Sequence, residues 1–79
     1  MIVAKVLGGG CKSCHILAQR VEEAAEEMGI PVEVQKVSEI NDIMKYDILM
    51  TPGLVLNEKL VISGRVPTVK EIIGLLEKE

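Results

Sequence analysis

The strongest constraint on the fold lies in the first 28 residues, where a short apolar run leads into an amphipathic helix pattern. Residues 1–7 (MIVAKVL) are rich in β-branched side chains and end at three glycines, which predicts a central strand with both faces covered. Across residues 11–28 the apolar positions recur at spacings of three and four, and acidic residues fill the opposite side. Gly29 ends this helix. The chain therefore begins with a sharp strand-to-helix corner.

The middle of the chain predicts a second strand and a short helix. Pro31 opens the strand, in which apolar and polar residues alternate up to position 37. Ser38 is placed to cap the helix that follows. We expect the buried side of that helix to be formed by Ile40, Ile43 and Met44.

The last third of the chain predicts a hairpin and a closing helix. Strands at residues 54–56 and 59–62 are joined by a tight turn at Asn57 and Glu58. Thr68 and Glu71 fit a capping box at the start of the final helix. The order of elements is βαβαββα, and we expect the first two strands to be parallel and the last two antiparallel.

Length and composition limit the domain organisation and the partners. A chain of 79 residues has room for one core, so we expect a single domain over residues 1–79. Tyr46 is the one aromatic residue and the net charge is −3, so neither base stacking nor phosphate binding is favoured and a nucleic-acid partner is not expected. We also expect no membrane association, because the apolar runs are too short to span a bilayer. Two cysteines are too few for a secreted disulfide framework, which favours a cytoplasmic location.

The two cysteines form a CxxC motif, Cys11-Lys12-Ser13-Cys14, at the predicted corner. Residues three apart on a helix share a face, so the two sulfurs can close a small ring. Cys11 falls at the helix N-terminus, where unpaired N–H groups and the helix dipole favour a thiolate. Lys12 and Ser13 are candidates to lower the pKa of Cys11 further. We predict that Cys11 is the nucleophile and Cys14 the resolving thiol, with no metal and no cofactor.

The whole chain resembles the small thioredoxin-like redox-active disulfide proteins of archaea and bacteria. The resemblance is carried by GGGCKSC, by MTPGLVLNEKLVISG and by the terminal VKEIIGLLEK. It implies a thioredoxin-like α/β fold of βαβαββα order, a four-stranded mixed sheet with helices on both faces. It also implies that the chain is a monomeric protein dithiol–disulfide oxidoreductase. Its partners would be disulfide-containing protein substrates and a thioredoxin-reductase-like electron donor.

The resemblance also assigns a substrate-binding segment. In this fold the proline before the hairpin follows a cis peptide bond and lies against the CxxC motif, which here corresponds to Pro52. The backbone of Thr51 would pair with a bound substrate segment. The chain departs from thioredoxin at Gly10, where a tryptophan is usual, and at Lys12-Ser13 in place of Gly-Pro. The acidic residue that thioredoxin buries behind the resolving cysteine has no clear match, and we expect Lys5, in the same strand, to be exposed at a sheet end.

Two other functions fit part of the pattern. A metallochaperone domain also places a glycine-flanked CxxC between its first strand and helix, and two thiolates suit Cu(I). Such domains continue with two strands directly after the helix, unlike the order predicted here. A non-catalytic thioredoxin-like adaptor would bind partners through the Thr51–Pro52 surface, but it has no need for two sulfurs. The string CxxCH is the haem attachment signature, but we expect His15 to be an exposed helix residue, with a role near the dithiol left open.

Overall fold

The computed structural model describes residues 1–8, 12–48 and 50–79. The elements alternate as the sequence predicts, with a strand and a helix twice, then a hairpin and a final helix. Their bounds are β1 Ile2–Leu7, α1 Lys12–Met28, β2 Val32–Val37, α2 Ile40–Met44, β3 Gly53–Leu56, β4 Lys59–Ser63 and α3 Val69–Glu77. A single strand and then a helix follow α1, which is not the order of a metallochaperone domain.

The four strands form one mixed sheet in the order β2-β1-β3-β4. β1 pairs in parallel with β2 and antiparallel with β3, and β3 pairs antiparallel with β4. The parallel first pair and the antiparallel hairpin are both confirmed. β1 is therefore a central strand, and its apolar sequence follows from cover on both faces.

Each face of the sheet is covered by helices. Because side chains alternate along a strand, Ala4 and Val6 point to the face that α1 and α3 cover, whereas Leu7 points to the other. The larger core cluster joins these two strand residues to the buried sides of α1 and α3. The smaller cluster consists of Leu7 and Val55 packed against Ile43 of α2.

The short helix α2 differs from its prediction. Glu39, and not Ser38, occupies the N-cap position, and no side chain caps the helix. Of the three residues expected to be buried, only Ile43 is, while Ile40 and Met44 are 69% and 65% exposed. A helix of five residues offers one buried contact to the sheet, and the groove beside it stays open to solvent.

Lys5 also differs from its prediction. It lies in central strand β1, paired with Gln35 on one side and Val55 on the other, and its side chain is 22% exposed. The ammonium donates to the Tyr46 hydroxyl at 3.1 Å and forms a salt bridge with Glu58. These hydrogen bonds, first the one that Lys5 donates to Glu58 and then the one to Tyr46, raise the pKa of Lys5 above its ordinary value. Lys5 points to the α2 face and is therefore not directed at Cys14.

The predicted hairpin turn and the predicted capping box are both confirmed. Asn57 and Glu58 have φ values of 49° and 69°, the left-handed conformation of a tight hairpin turn. At the start of α3, Thr68 Oγ1 accepts from the Glu71 N–H at 3.2 Å, and Glu71 Oε1 accepts from the Thr68 N–H. This capping box satisfies two backbone N–H groups at the start of the last helix.

Candidate functional site

Three strands bring the candidate site residues to one end of the sheet. Because β1 is parallel to β2 and antiparallel to β3, the end of β1 at Leu7 lies beside the end of β2 at Val37 and the start of β3 at Gly53. The Gly8 N–H donates to the Val37 carbonyl at 2.9 Å and continues the pairing by one residue. Helix α1 also begins at this end. The topology therefore gathers the segment after β1, the first turn of α1 and the segment before β3.

Cys14 lies in the first turn of α1, and its side chain is buried at this end of the sheet. Its side chain is 4% exposed and belongs to the larger core cluster. The sulfur lies so close to Gly8 that a β-carbon at position 8 would collide with it. A glycine is required there because only the bare backbone leaves room for the sulfur.

Thr51 and Pro52 lie beside the same position. The Thr51–Pro52 peptide bond is cis. A β-carbon at position 8 would be 3.9 Å from Thr51 Cβ, so Thr51 and Cys14 approach Gly8 together. Pro52 is buried and its carbonyl accepts from the Gly64 N–H at 2.8 Å, whereas Thr51 is exposed. An exposed residue beside the buried thiol is where a bound polypeptide could approach.

Of the other three residues of the CxxC motif, the structure describes Lys12 and Ser13. Cys11 lies outside the described residues, so its distance to Cys14 and its nucleophilic role stay predictions. Lys12 is exposed at the first position of α1, and Ser13 is half-buried. Their effect on the pKa of Cys11 stays a prediction as well.

A cavity beside Cys14 is lined in part by His15 and Lys36, two residues for which the sequence predicts no definite role. It has a volume of about 190 Å³ and is lined by Val6, Gly8, Cys14, His15, Lys36 and Ser38. Lys36 Nζ lies 3.1 Å from His15 Nδ1. Lys36 follows Val32 and Val34 at every second position of β2. This alternation, in which a third apolar residue is expected at position 36, is the sequence feature that singles out Lys36.

An apolar groove borders the other side of the site. Its volume is about 380 Å³, and it runs from α2 to Thr51. Ile40, Met44 and Met50 line it and are all at least 65% exposed. The prediction that Met44 lies on the buried side of α2 is therefore wrong, and Met50 is exposed beside it. Exposed apolar residues gathered at one place indicate a contact surface.

Among residues 1–8, 12–48 and 50–79, no cluster of three or more His, Cys, Asp or Glu side chains could hold a metal ion. None of the helices in that part of the chain is long and apolar enough to cross a membrane.

Comparison with known proteins identifies the family. A family model described as a thioredoxin domain matches residues 3–77. The thioredoxin of Methanocaldococcus jannaschii is 36% identical over 72 residues, which cover 91% of this chain and 83% of that protein. The thioredoxin of Methanothermobacter thermautotrophicus is 34% identical over 76 residues, covering 96% of this chain and 99% of that protein.

Solved structures agree on the fold. A structure described as thioredoxin-2, a component of the protein secretion machinery of the malaria parasite, superposes with a TM-score of 0.71 at 14% identity, covering 100% of this chain and 84% of that one. A second malarial protein gives the same TM-score and identity, with 99% and 96% covered. The predicted thioredoxin-like α/β fold is confirmed, and the family supports thiol–disulfide exchange as the general class of activity. The chain belongs to the thioredoxin family.

Proposed function

We propose that the protein exchanges disulfides with other proteins, with Cys11 as nucleophile and Cys14 as resolving thiol. The Cys11 thiolate attacks a substrate disulfide, forms a mixed disulfide and releases one substrate thiolate. The Cys14 thiolate then attacks Cys11, so that the Cys11–Cys14 bond forms and the second substrate thiolate leaves. The substrate gains two electrons and the protein is left oxidised.

The observation that carries the proposal is the position of the Cys14 sulfur. It is buried against Gly8 at the end of the sheet where Thr51 is exposed and α1 begins. A buried thiol is shielded from substrate disulfides in solution, which suits a second attack on a neighbouring sulfur. The accessible first attack is then left to Cys11, one turn earlier in the sequence.

Thr51 and Pro52 are the proposed binding residues for the substrate polypeptide. Thr51 is exposed beside the Cys14 sulfur and borders the apolar groove. An extended segment paired with the Thr51 backbone would lay a neighbouring side chain along Ile40, Met44 and Met50. Main-chain hydrogen bonds would then supply affinity for many substrates, and the groove would favour those with apolar residues near the cysteine.

The remaining parts of the proposal rest on the resemblance to the family. We propose that the protein acts as a monomer in the cytoplasm. Electrons would reach the oxidised form from a thioredoxin-reductase-like donor. The reaction requires neither a metal nor a cofactor in this chain.

The test is the reduction of a protein disulfide by an excess of dithiothreitol, with and without catalytic amounts of the protein. Wild type should accelerate the reduction, and Cys11→Ser should abolish the acceleration because the first attack is lost. The control is Glu23→Gln, at an exposed position of α1 beyond the CxxC motif, which leaves both sulfurs in place and should retain most of the rate. An inactive wild type would refute the catalytic proposal and favour the adaptor.

A further inference from the structure

Lys36 occupies an unexpected place on strand β2. Val32 and Val34 of that strand pack against the larger core cluster, and Lys36 continues their alternation on the same face. In the parallel register Lys36 lies beside Val6, which belongs to the cluster that contains Cys14. The alternation along β2 predicts a third apolar side chain at position 36, and a lysine occupies that position instead.

The Lys36 side chain is held by His15. Its Nζ lies 3.1 Å from His15 Nδ1. An ammonium group can only donate, so the contact is a hydrogen bond in the tautomer that leaves His15 Nδ1 free to accept. Both residues line the cavity of about 190 Å³ that Cys14 also lines. Both residues are exposed, and the hydrogen bond between them keeps the Lys36 charge beside this cavity.

The described side chains that line the cavity include the Lys36 cation and no carboxylate. Helix α1 begins here, and its first turn contains no acidic residue to balance the positive end of the helix dipole. Among the described residues that line the cavity, the titratable side chains are Cys14, His15 and Lys36. Nearby on the chain, Lys12 is exposed on α1 and Glu39 is exposed after β2. A cation at a helix N-terminus is unfavourable for the helix, but it favours an anion formed in the same place.

We propose that Lys36, positioned by His15, supplies the charge that favours the thiolate form of Cys14 in the resolving step. This inference rests on the proposed function, since it concerns the second attack of the exchange. Cys14 first loses its proton to water. Its thiolate then forms the bond to Cys11 while the bond from Cys11 to the substrate sulfur breaks, and the electron pair leaves with the substrate thiolate.

The test uses Cys11→Ser as the parent protein, in which Cys14 is the one remaining cysteine. The thiolate absorbance near 240 nm is followed against pH and gives the pKa of Cys14. Adding Lys36→Met should raise this pKa by about 0.5 to 1 unit, because an opposite charge nearby is lost and the lysine is partly screened by water. Lys36→Arg, which keeps the charge, should stay close to the parent. An unchanged pKa in Lys36→Met would overturn the inference.

The role of His15 needs its own pair of variants. His15→Leu removes the acceptor for Lys36 and should raise the pKa of Cys14 in the same direction by a smaller amount. His15→Gln retains an acceptor oxygen and should restore the parent value. If Gln behaves as Leu does, the positioning role of His15 is refuted. Circular dichroism of each variant confirms that it is folded, and Lys36→Gln replaces Lys36→Met if the latter does not fold.

This experiment separates the inference from the proposed function. The pKa of Cys14 is measured without any exchange reaction, so it can shift as expected in a protein that proves to be inactive. In the dithiol protein with Lys36→Met, release of the second substrate thiol at pH 7 should slow by about threefold to tenfold, matching the change in thiolate population. The rate of the first attack should change less than twofold. Equal slowing of both steps would contradict a role in resolution.

Discussion

The sulfur of Cys14 lies against the backbone of Gly8, in the space that a side chain at position 8 would occupy. Gly8→Ala should therefore turn the Cys14 side chain to another rotamer and move the sulfur away from its place at the sheet end. We expect the resolving step to slow by tenfold or more, because a displacement of about 1 Å can cost on the order of 100-fold in rate. Stopped-flow measurement of substrate thiol release gives this rate.

Gly74→Ala is the matched control for that substitution. Gly74 lies inside α3, and a β-carbon there would meet no atom within 4 Å. The alanine should raise the free energy of unfolding by about 0.5–1 kcal/mol through better helix propensity, with no change in exchange rate. If Gly8→Ala and Gly74→Ala leave the exchange rate equally unchanged, the required contact between Gly8 and Cys14 is wrong.

The capping box at Thr68 should stabilise the last helix measurably. Thr68→Ala removes the oxygen that accepts from the Glu71 N–H and should lower the free energy of unfolding by about 1 kcal/mol. Thr68→Ser keeps the oxygen and should cost less than half as much. Urea denaturation of the three proteins at pH 7 decides the point, and equal losses for alanine and serine would show that the hydroxyl makes no net contribution.

The salt bridge between Lys5 and Glu58 predicts a dependence of stability on pH. Hydrogen bonds from Lys5 and then Tyr46 lower the pKa of Glu58 below its ordinary value of 4.5. Since the folded pKa is depressed, this stabilisation is fully present above pH 4.5 and is lost as the pH falls through the folded value. Glu58→Gln should thus be less stable than wild type at pH 7, and the difference should shrink in acid.

A double-mutant cycle isolates that pair. In a Lys5→Met background the main partner of Glu58 is gone, so Glu58→Gln should change stability by a smaller amount, with a weaker dependence on pH. Urea denaturation at pH 7 and pH 3 supplies the four free energies at each pH. If the coupling free energy between Lys5 and Glu58 is the same at pH 7 and at pH 3, the assigned pairing is wrong.

The apolar groove should act on protein substrates and not on small ones. Replacing both Met44 and Met50 by serine removes exposed apolar surface beside Thr51 without touching the buried core. We expect KM for a protein disulfide to rise several-fold with kcat nearly unchanged, because binding is lost and the chemistry is not. The rate with a small aromatic disulfide serves as the internal control and should not change. Equal effects on both substrates would exclude the groove as a binding surface.

Much of this fold could be predicted because its signals are local. The succession of strand β1 and helix α1, the turn at Asn57 and the capping box at Thr68 depend on nearby residues, and all three are confirmed. The failures at Ile40 and Met44 have another origin. Their spacing describes an apolar side, but nothing local says whether a partner element covers it, and in this small domain the groove stays open.

The candidate site likewise combines a feature that neighbouring residues reveal with contacts between residues far apart in the sequence. The CxxC spacing predicts a role for Cys14, and the structure places its side chain in the core. The contacts of Cys14 with Gly8 and the cavity shared with Lys36 depend on how β1, β2 and α1 meet. Lys36 lies 22 positions after Cys14 on the chain, and only the parallel register of β1 and β2 brings it to the same cavity. Such a pairing has no signature in a single sequence.

The most direct test of the central claim is the trapping of mixed disulfides by the two cysteine variants. A disulfide-containing protein is incubated with each reduced variant, quenched with acid and separated on a non-reducing gel. Cys14→Ser should accumulate a covalent complex through Cys11, because no second thiol resolves it, whereas Cys11→Ser should accumulate little or none. A complex that forms equally with both variants, or only with Cys11→Ser, would contradict the assignment of Cys11 as nucleophile and Cys14 as resolving thiol.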